Sequence, residues 1–400
     1  MKSQQKKISL SPKLQYHSQI STIEKKDGIH IPFDLIKDIL PRLPVKSLAR
    51  FQCVSKQWSS LITNSIMTWA LAKPRLHVIF DRRILESSVI SLSSYPLNTY
   101  KESVPAEQDG HALLHGILNY KIMYQYIRGL ISCLTRSSQF LIHNTTTRQS
   151  VLLPEINPKR PGCFMDGFFG YDPVENKYKV FCMIRTAHTF EESYQVFTLG
   201  DPKKQWRTIQ SFGTFLSPTM TTRVCINGKI YFRASVGRYD NIPKPNDSEN
   251  LLLSFDLRSE RFDYLELPDQ SRSLTLVNYK GKLGCIRYSD HSADVWVKDH
   301  ALKQEWCKID LFMSSSILKS LGDSTRIAGV TLNGEIVIMP RRLDRAKPLY
   351  AEYYDPKQEK IRRVELESTF KGQKEDVRIF GFPDHVEENA MSLLDLTYTH

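Results

Sequence analysis

The chain has 400 residues, 41% of them apolar and 24% charged, with a formal net charge of +12. That is enough apolar material for a substantial core, and no apolar run approaches the roughly 18 residues needed to cross a bilayer. The positive charge is spread out, with one modest concentration at 341–348, and no zinc-finger spacing or RNA-binding signature accompanies it, which argues against a nucleic-acid protein.

The first 27 residues carry six lysines against two acids and no apolar stretch of the secretory kind. They read as a disordered basic tail, so the chain is expected to stay inside the cell, in nucleus or cytoplasm. Seven cysteines with no C-x-x-C pair fit a reducing compartment, and Cys182 and Cys225 sit in apolar runs as small core residues.

Residues 28–68 form a small helical block. Of the 34 residues from 29 to 62, seventeen are apolar. Pro32 suits a first helical turn, and Asp34 complements the helix's positive end. Leu35, Ile36, Ile39, Leu40 and Leu43 follow at helical spacing, and Pro41 and Pro44 force a corner. A second short helix runs from about Val45, with Leu48 and Phe51 on one face. Ser55 is placed to cap a third, which carries Trp58, Leu61 and Ile62. Three short helices cannot cover seventeen apolar side chains among themselves. Each large one left in water forgoes about 1.5–3 kcal/mol, and a unit this small rarely folds alone without a metal or disulfide. The surplus must dock on the chain's own C-terminal part or on a second polypeptide, and burial arithmetic does not choose between them.

The run I-P-x-x-L-I-x-x-I-L-x-R-L-P-V-K-S-L-x-R-F-x-C-V-S-K-x-W-x-x-L-I, from Ile31 to Ile62, resembles the F-box in the form common among plant F-box proteins, with Ile31 where leucine is usual. The resemblance implies binding to the Skp-type adaptor of cullin–RING ubiquitin ligases. It implies that Pro32, Leu35, Ile39, Leu40, Leu43, Pro44, Leu48, Val54, Trp58 and Leu61 supply the contact or the small core beneath it. Five cations (Lys37, Arg42, Lys46, Arg50, Lys56) against Asp34 and Asp38 leave this block at +3, which favours encounter with an acidic partner.

From residue 75 to about 395 the chain reads as repeated short strands. Hairpin signals at Asn227-Gly228, Lys280-Gly281 and Asn333-Gly334 lie 53 residues apart, twice; Asn-Gly is favoured there because both turn positions need positive φ. An aromatic–Asp turn recurs at Tyr171-Asp172, Phe255-Asp256 and Tyr354-Asp355, expected at one place in each repeat. Trp206 and Trp306 each follow a strand and stand 100 residues apart. A period near 50 with about four strands per unit indicates propeller blades. The units fall at 118–154, 164–209, 223–268, 274–309 and 326–367. The runs "RLHVIFDRR" and "SSVISLSS", together with the C-terminal "VRIFGF", can make one more blade shared by the two ends. The expected fold is therefore mainly β with a small α N-terminal domain: a three-helix F-box, then a β-propeller-like domain of about six four-stranded blades. Two stacked β-sandwiches are the alternative.

The phrases "IRGLISCL", "LIHNTTTRQSVLLP", "FFGYDPVENKYKVFCMI" and "VFTLGDPKKQWRTI" resemble the F-box-associated domain of many plant proteins, with His143 where tryptophan is frequent. The two resemblances imply a substrate-recognition subunit of a Skp–cullin–F-box ubiquitin ligase, partnered through the adaptor with a cullin and holding a protein target. No catalytic elbow, zinc-protease motif, P-loop or dinucleotide fingerprint occurs, so no catalytic residue, cofactor or metal is expected. His111 and His115, spaced four apart, lack an obvious third ligand. The aromatic–Asp carboxylates are expected to cap turns, and the two tryptophans to pack blades. The target-binding residues are not legible; the basic stretch 341–348 is the candidate contact. A propeller that binds glycan or nucleic acid, uncoupled from ubiquitination, is the competing reading.

Overall fold

The structure is a computed structural model. It describes Phe51 and residues 75–84, 87–96, 103–104, 124–135, 138–145, 150–156, 163–186, 192–210, 216–218, 223–236, 250–269, 274–288, 293–298, 305–310, 324–344, 347–366 and 377–383. Among them, β1 (Arg75–Ile84) and β2 (Ser87–Pro96) form a hairpin, followed by the two-residue β3 (Ser103–Val104). The first blade is β4 (Gln125–Ile127), β5 (Leu130–Leu134), β6 (Phe140–Asn144) and β7 (Ser150–Leu152). The second is β8 (Cys163–Asp172), β9 (Lys177–Thr186), β10 (Glu192–Thr198) and β11 (Arg207–Ile209). After β12 (Leu216–Pro218), which pairs with β14, the third blade is β13 (Val224–Ile226), β14 (Lys229–Val236), β15 (Asn250–Asp256) and β16 (Phe262–Leu265). The fourth is β17 (Thr275–Tyr279), β18 (Lys282–Tyr288), β19 (Ala293–Lys298) and β20 (Trp306–Asp310). The fifth is β21 (Thr325–Val330), β22 (Ile336–Pro340), β23 (Leu349–Asp355) and β24 (Lys360–Leu366), with β3 added in parallel at its outer edge. The last strand, β25 (Val377–Pro383), pairs with β1.

Five four-stranded antiparallel blades thus stand with a sixth sheet of three strands, β25-β1-β2, in which the C-terminal strand is innermost. The propeller expected from the sequence is present, and the expectation of about six four-stranded blades is refined to five: the shared blade forms from the two ends, with three strands among the described residues.

Six clusters of buried side chains fill the six gaps between neighbouring blades. Successive residues of a strand point to opposite faces, so one strand serves two gaps. In β9, Val180, Cys182 and Ile184 pack toward the first blade, whereas Phe181 and Met183 pack toward the third. In β1, Val78 and Phe80 face the fifth blade and Ile79 the first. Burial on both faces explains why these strands are continuous apolar runs without alternation. The fit between blades is close. A Cβ on Gly167 of β8 would stand 1.8 Å from the Phe140 ring of the first blade.

The turns follow the sequence with two corrections. Asn227-Gly228 and Lys280-Gly281 both take positive φ in two-residue hairpins, and so does Arg128-Gly129 between β4 and β5. At Asn333-Gly334 only the glycine does, and a longer turn closes through Gly334 N donating to the Thr331 carbonyl at 2.8 Å. Leu332 and Asn333 fill the added space. The aromatic–Asp element caps turns as expected: Asp172 accepts from Val174 N at 2.9 Å, Asp256 from Ser259 N at 2.8 Å and Asp355 from Lys357 N at 2.8 Å. Its position is not constant, however. Asp172 ends a first strand, whereas Asp256 and Asp355 end third strands. Any tight β-turn accepts the same cap, so the motif marks turns and not one register of the repeat.

The two tryptophans do one job twice. Trp206 lies just before β11, and its indole N–H donates to the Pro154 carbonyl, just beyond the outer strand of the preceding blade, at 2.8 Å. Trp306 opens β20, and its indole donates to Glu266, in the corresponding place, at 2.8 Å. Each is a latch between neighbouring blades. At the shared blade, Asp81 of β1 is fully buried and accepts from Arg378 of β25.

Asp81→Ala is expected to lower unfolding stability by about 3 kcal/mol, because it strands the Arg378 guanidinium; Arg378→Met added to it should restore part of the loss in a denaturant titration. Trp206→Phe and Trp306→Phe should each cost at least about 1 kcal/mol in the same assay, the value of one hydrogen bond, with part of the indole's packing lost besides.

Candidate functional site

The innermost strands β4, β8, β13, β17, β21 and β25 surround a central cavity of about 500 Å³, within the range of small-ligand sites. Its wall includes Tyr126, Phe382, Arg223, Arg326 and Arg341. The ring has two rims. One carries the tight first-to-second and third-to-fourth turns. The other carries the second-to-third connections and the links between blades.

The second rim gathers arginines. The second strands of blades two, three and four carry Arg185, Arg233 and Arg287 near that end, and Arg341 follows β22 directly. Arg82 and Arg83 stand at the same end of β1. Sequence reading missed this set. Its signal was an arginine closing each apolar run, as in "VFCMIR", "IYFR", "LGCIR" and "IVIMPR".

Arg185 and Arg287 meet carboxylates, as does Arg223 on the same rim, whereas Arg233 donates to the Leu274 carbonyl at 3.2 Å. Asp166 accepts from Arg185 at 2.5 Å and from Arg223 at 3.0 Å, and the Arg223 guanidinium lies 4.1 Å over the Phe168 ring. Arg287 donates to Asp269 at 2.5 Å and to Asp294. Arg326 differs. Among the described residues it has no carboxylate partner. Its guanidinium lies 4.1 Å over the Phe380 ring, and its Nε is buried without a hydrogen bond. Burial, then the like charges of Arg341 and Arg378, push its pKa down to about 10, so it remains charged at neutral pH. On the turn rim, by contrast, Lys179 and Arg207 share Glu260, Arg362 meets Glu335 at 2.9 Å, and Arg363 meets Glu352 at 2.5 Å.

Burial disfavours the thiolate form at Cys133, Cys182 and Cys285, and at the partly buried Cys225. Burial, with Asp81 nearby, raises Cys133 to about 12; burial also raises Cys285 to about 12 and Cys225 to about 11, and pushes Cys182 higher still. Burial and the Asp81 carboxylate likewise hold the Tyr124 phenol well above its usual range. Among the described residues, no group of three or more His, Cys, Asp or Glu is arranged to hold a metal.

Of the basic stretch 341–348, Arg341 lines the cavity, while Lys347 lies 3.8 Å from Asp344 on the open surface. His143 is buried, with Nδ1 2.9 Å from the Ser150 hydroxyl. Pro32, Leu35, Ile39, Leu40, Leu43, Pro44, Leu48, Val54, Trp58 and Leu61 lie outside the described residues, as do His111 and His115. From that block only Phe51 is described; it is helical and 36% exposed.

A closed ring of antiparallel blades with one blade built from both ends defines a β-propeller. A family model described as an F-box associated beta propeller domain matches residues 75–386, and one described as an F-box domain matches residues 29–69. An F-box protein of Arabidopsis thaliana is 35% identical over 93% of this chain and 89% of its own length. A putative F-box protein of the same plant is 36% identical over 98% and 99%, and another is 39% identical over 72% and 92%. Among solved structures, an oligogalacturonate lyase aligns at TM-score 0.38 and 10% identity, over 78% of this chain and 92% of that one; so loose a likeness bears on nothing further. The chain belongs to the plant F-box proteins that carry an F-box-associated β-propeller.

Among the described cysteines, native-state alkylation followed by peptide mapping should modify the exposed Cys307 first, and Cys133, Cys182 and Cys285 only after denaturant unfolds the ring. Early modification of Cys182 would contradict its placement between blades.

Proposed function

We propose that this chain is the substrate-recognition subunit of a Skp–cullin–F-box ubiquitin ligase. Its helical block tethers it to the Skp-type adaptor, and its propeller holds a target protein for ubiquitination. The observation that carries the reading is the pairing of the two matched regions, F-box at 29–69 and propeller at 75–386, in one chain. The block's apolar surplus supports it: seventeen apolar residues in 34 need a second surface, and an adaptor supplies one. The chain performs no bond chemistry itself. It raises the effective concentration of the target beside the ubiquitin-charged enzyme and orients it there. It works inside the cell, in cytoplasm or nucleus, where that machinery operates.

Pro32, Leu35, Ile39, Leu40, Leu43, Pro44, Leu48, Val54, Trp58 and Leu61 supply the adaptor contact or the small core beneath it, with the block's excess of cations steering an acidic partner. Leu40→Ala combined with Trp58→Ala should abolish co-purification with the adaptor while the propeller's melting transition stays in place. Truncations at such anchors cost about 2 kcal/mol or more each. Retained adaptor capture by the double variant would refute the contact surface. No capture by the unsubstituted chain would refute the ligase reading and favour a stand-alone ligand-binding propeller.

A further inference from the structure

Three backbone segments meet at the connection rim beside the shared blade. Arg341 N donates to the Ser324 carbonyl at 2.7 Å, Ile379 N donates to the Arg341 carbonyl at 3.0 Å, and Arg342 bridges to Arg378. These bonds bring Arg326, Arg341 and Arg378 together on β21, the end of β22 and β25. One carboxylate in the described neighbourhood answers them, Asp81, and it is committed to Arg378. Arg341 donates Nε to the Thr325 carbonyl at 2.8 Å and is otherwise exposed, while Arg326 rests on Phe380 alone. Both Arg326 and Arg341 line the central cavity, and Gly381, Phe382 and Pro383 continue its wall inward. Among the described residues, two guanidinium groups thus stand without a carboxylate partner at the mouth of a partly apolar cavity.

We propose that this mouth receives an acidic residue of an extended target segment, its carboxylate held between Arg326 and Arg341 and its neighbouring side chain seated in the cavity. The inference rests on the ligase reading and names the chemistry of the target that the propeller takes. A guanidinium pair offers parallel N–H donors matched to a carboxylate. The surplus is two charges at one point, not a stripe, so it does not fit a nucleic acid, whose phosphates need cations along a track. A phosphoryl group would meet the same guanidinium pair, and the phosphoserine probe tells it apart from a carboxylate.

The test uses the purified full-length chain and fluorescein-labelled decapeptides with a central Glu-Asp pair, the Gln-Asn counterpart and a phosphoserine counterpart, with labelled oligouridine as a fourth probe. Anisotropy should show the Glu-Asp peptide binding about tenfold or more tighter than the Gln-Asn one. Arg326→Gln and Arg341→Gln should each remove most of that preference. Lys357→Gln, which deletes one exposed charge from the turn rim, should leave it intact. Arg341→Gln changes an exposed side chain and removes one hydrogen bond, to Thr325, so an unchanged melting transition of this variant keeps the test clear of misfolding. Equal affinity for the acidic and neutral peptides, equal loss with Lys357→Gln, or tighter Arg326-dependent binding of phosphoserine or oligouridine would each overturn the proposal. Adaptor capture by the same preparations keeps the two readings apart. It should persist in both arginine variants, and its absence in the unsubstituted chain would count against the ligase reading alone.

Discussion

β25 lies against β1 over seven residue pairs, from Leu76 opposite Pro383 to Arg82 opposite Val377. Everything else in the propeller depends on that contact. It joins segments 297 residues apart at Asp81 and Arg378, and closing a loop of that length costs on the order of 5 kcal/mol in chain entropy. The apolar side chains made inaccessible there more than offset it. Val78, Ile79, Phe80, Val377 and Ile379 are all essentially buried, and each such side chain contributes about 1.5–3 kcal/mol. Without closure the fifth blade would present Val337, Met339 and Tyr353 to water, and the first blade Tyr126 and Ile131. A ring removes its free edges and faces only when the last gap closes.

The buried Asp81–Arg378 pair adds direction to this closure more than strength. A buried ion pair is weak evidence for net stability, because desolvation offsets much of the Coulomb attraction. Its value lies in register. A one-residue slip of β25 along β1 would turn Arg378 to the other face and leave Asp81 buried and alone. Apolar burial drives the ends together, and the ion pair selects the alignment in which they meet.

The architecture was largely legible because its signals are local. Glycine turns, aspartate caps and tryptophans at a fixed spacing each reflect one hairpin or one blade junction, and their recurrence marked the five complete blades. The shared blade was legible from the leftover apolar runs at both ends. Two things were not. The aromatic–Asp turn does not identify which hairpin of a blade it closes, since a first strand ending at Asp172 and a third strand ending at Asp256 need the same cap. The arginine crown escaped notice because an arginine after an apolar run reads as an ordinary strand terminus. Only the ring brings Arg341 together with Arg326 and Arg378, and only there does it show that, among the described residues, Asp81 is the carboxylate that meets them. The candidate site is a property of closure, not of any one segment.

The two rims are built under different constraints, and this is where fold turns into function. The turn rim is occupied by tight hairpins, where Asp172 and Asp256 are spent on backbone N–H groups and Arg362 pairs with Glu335. The connection rim carries the longer links, and among the described residues its arginines outnumber the aspartates that meet them. Side chains at such ends are anchored by a rigid strand yet reach the cavity mouth, which gives a defined geometry without mobile loops. A guanidinium kept charged but poorly partnered, as Arg326 is over Phe380, costs folding energy in the free protein. That cost is recovered when an anion from outside completes the set, so the same feature that weakens the ring slightly can sharpen its choice of ligand.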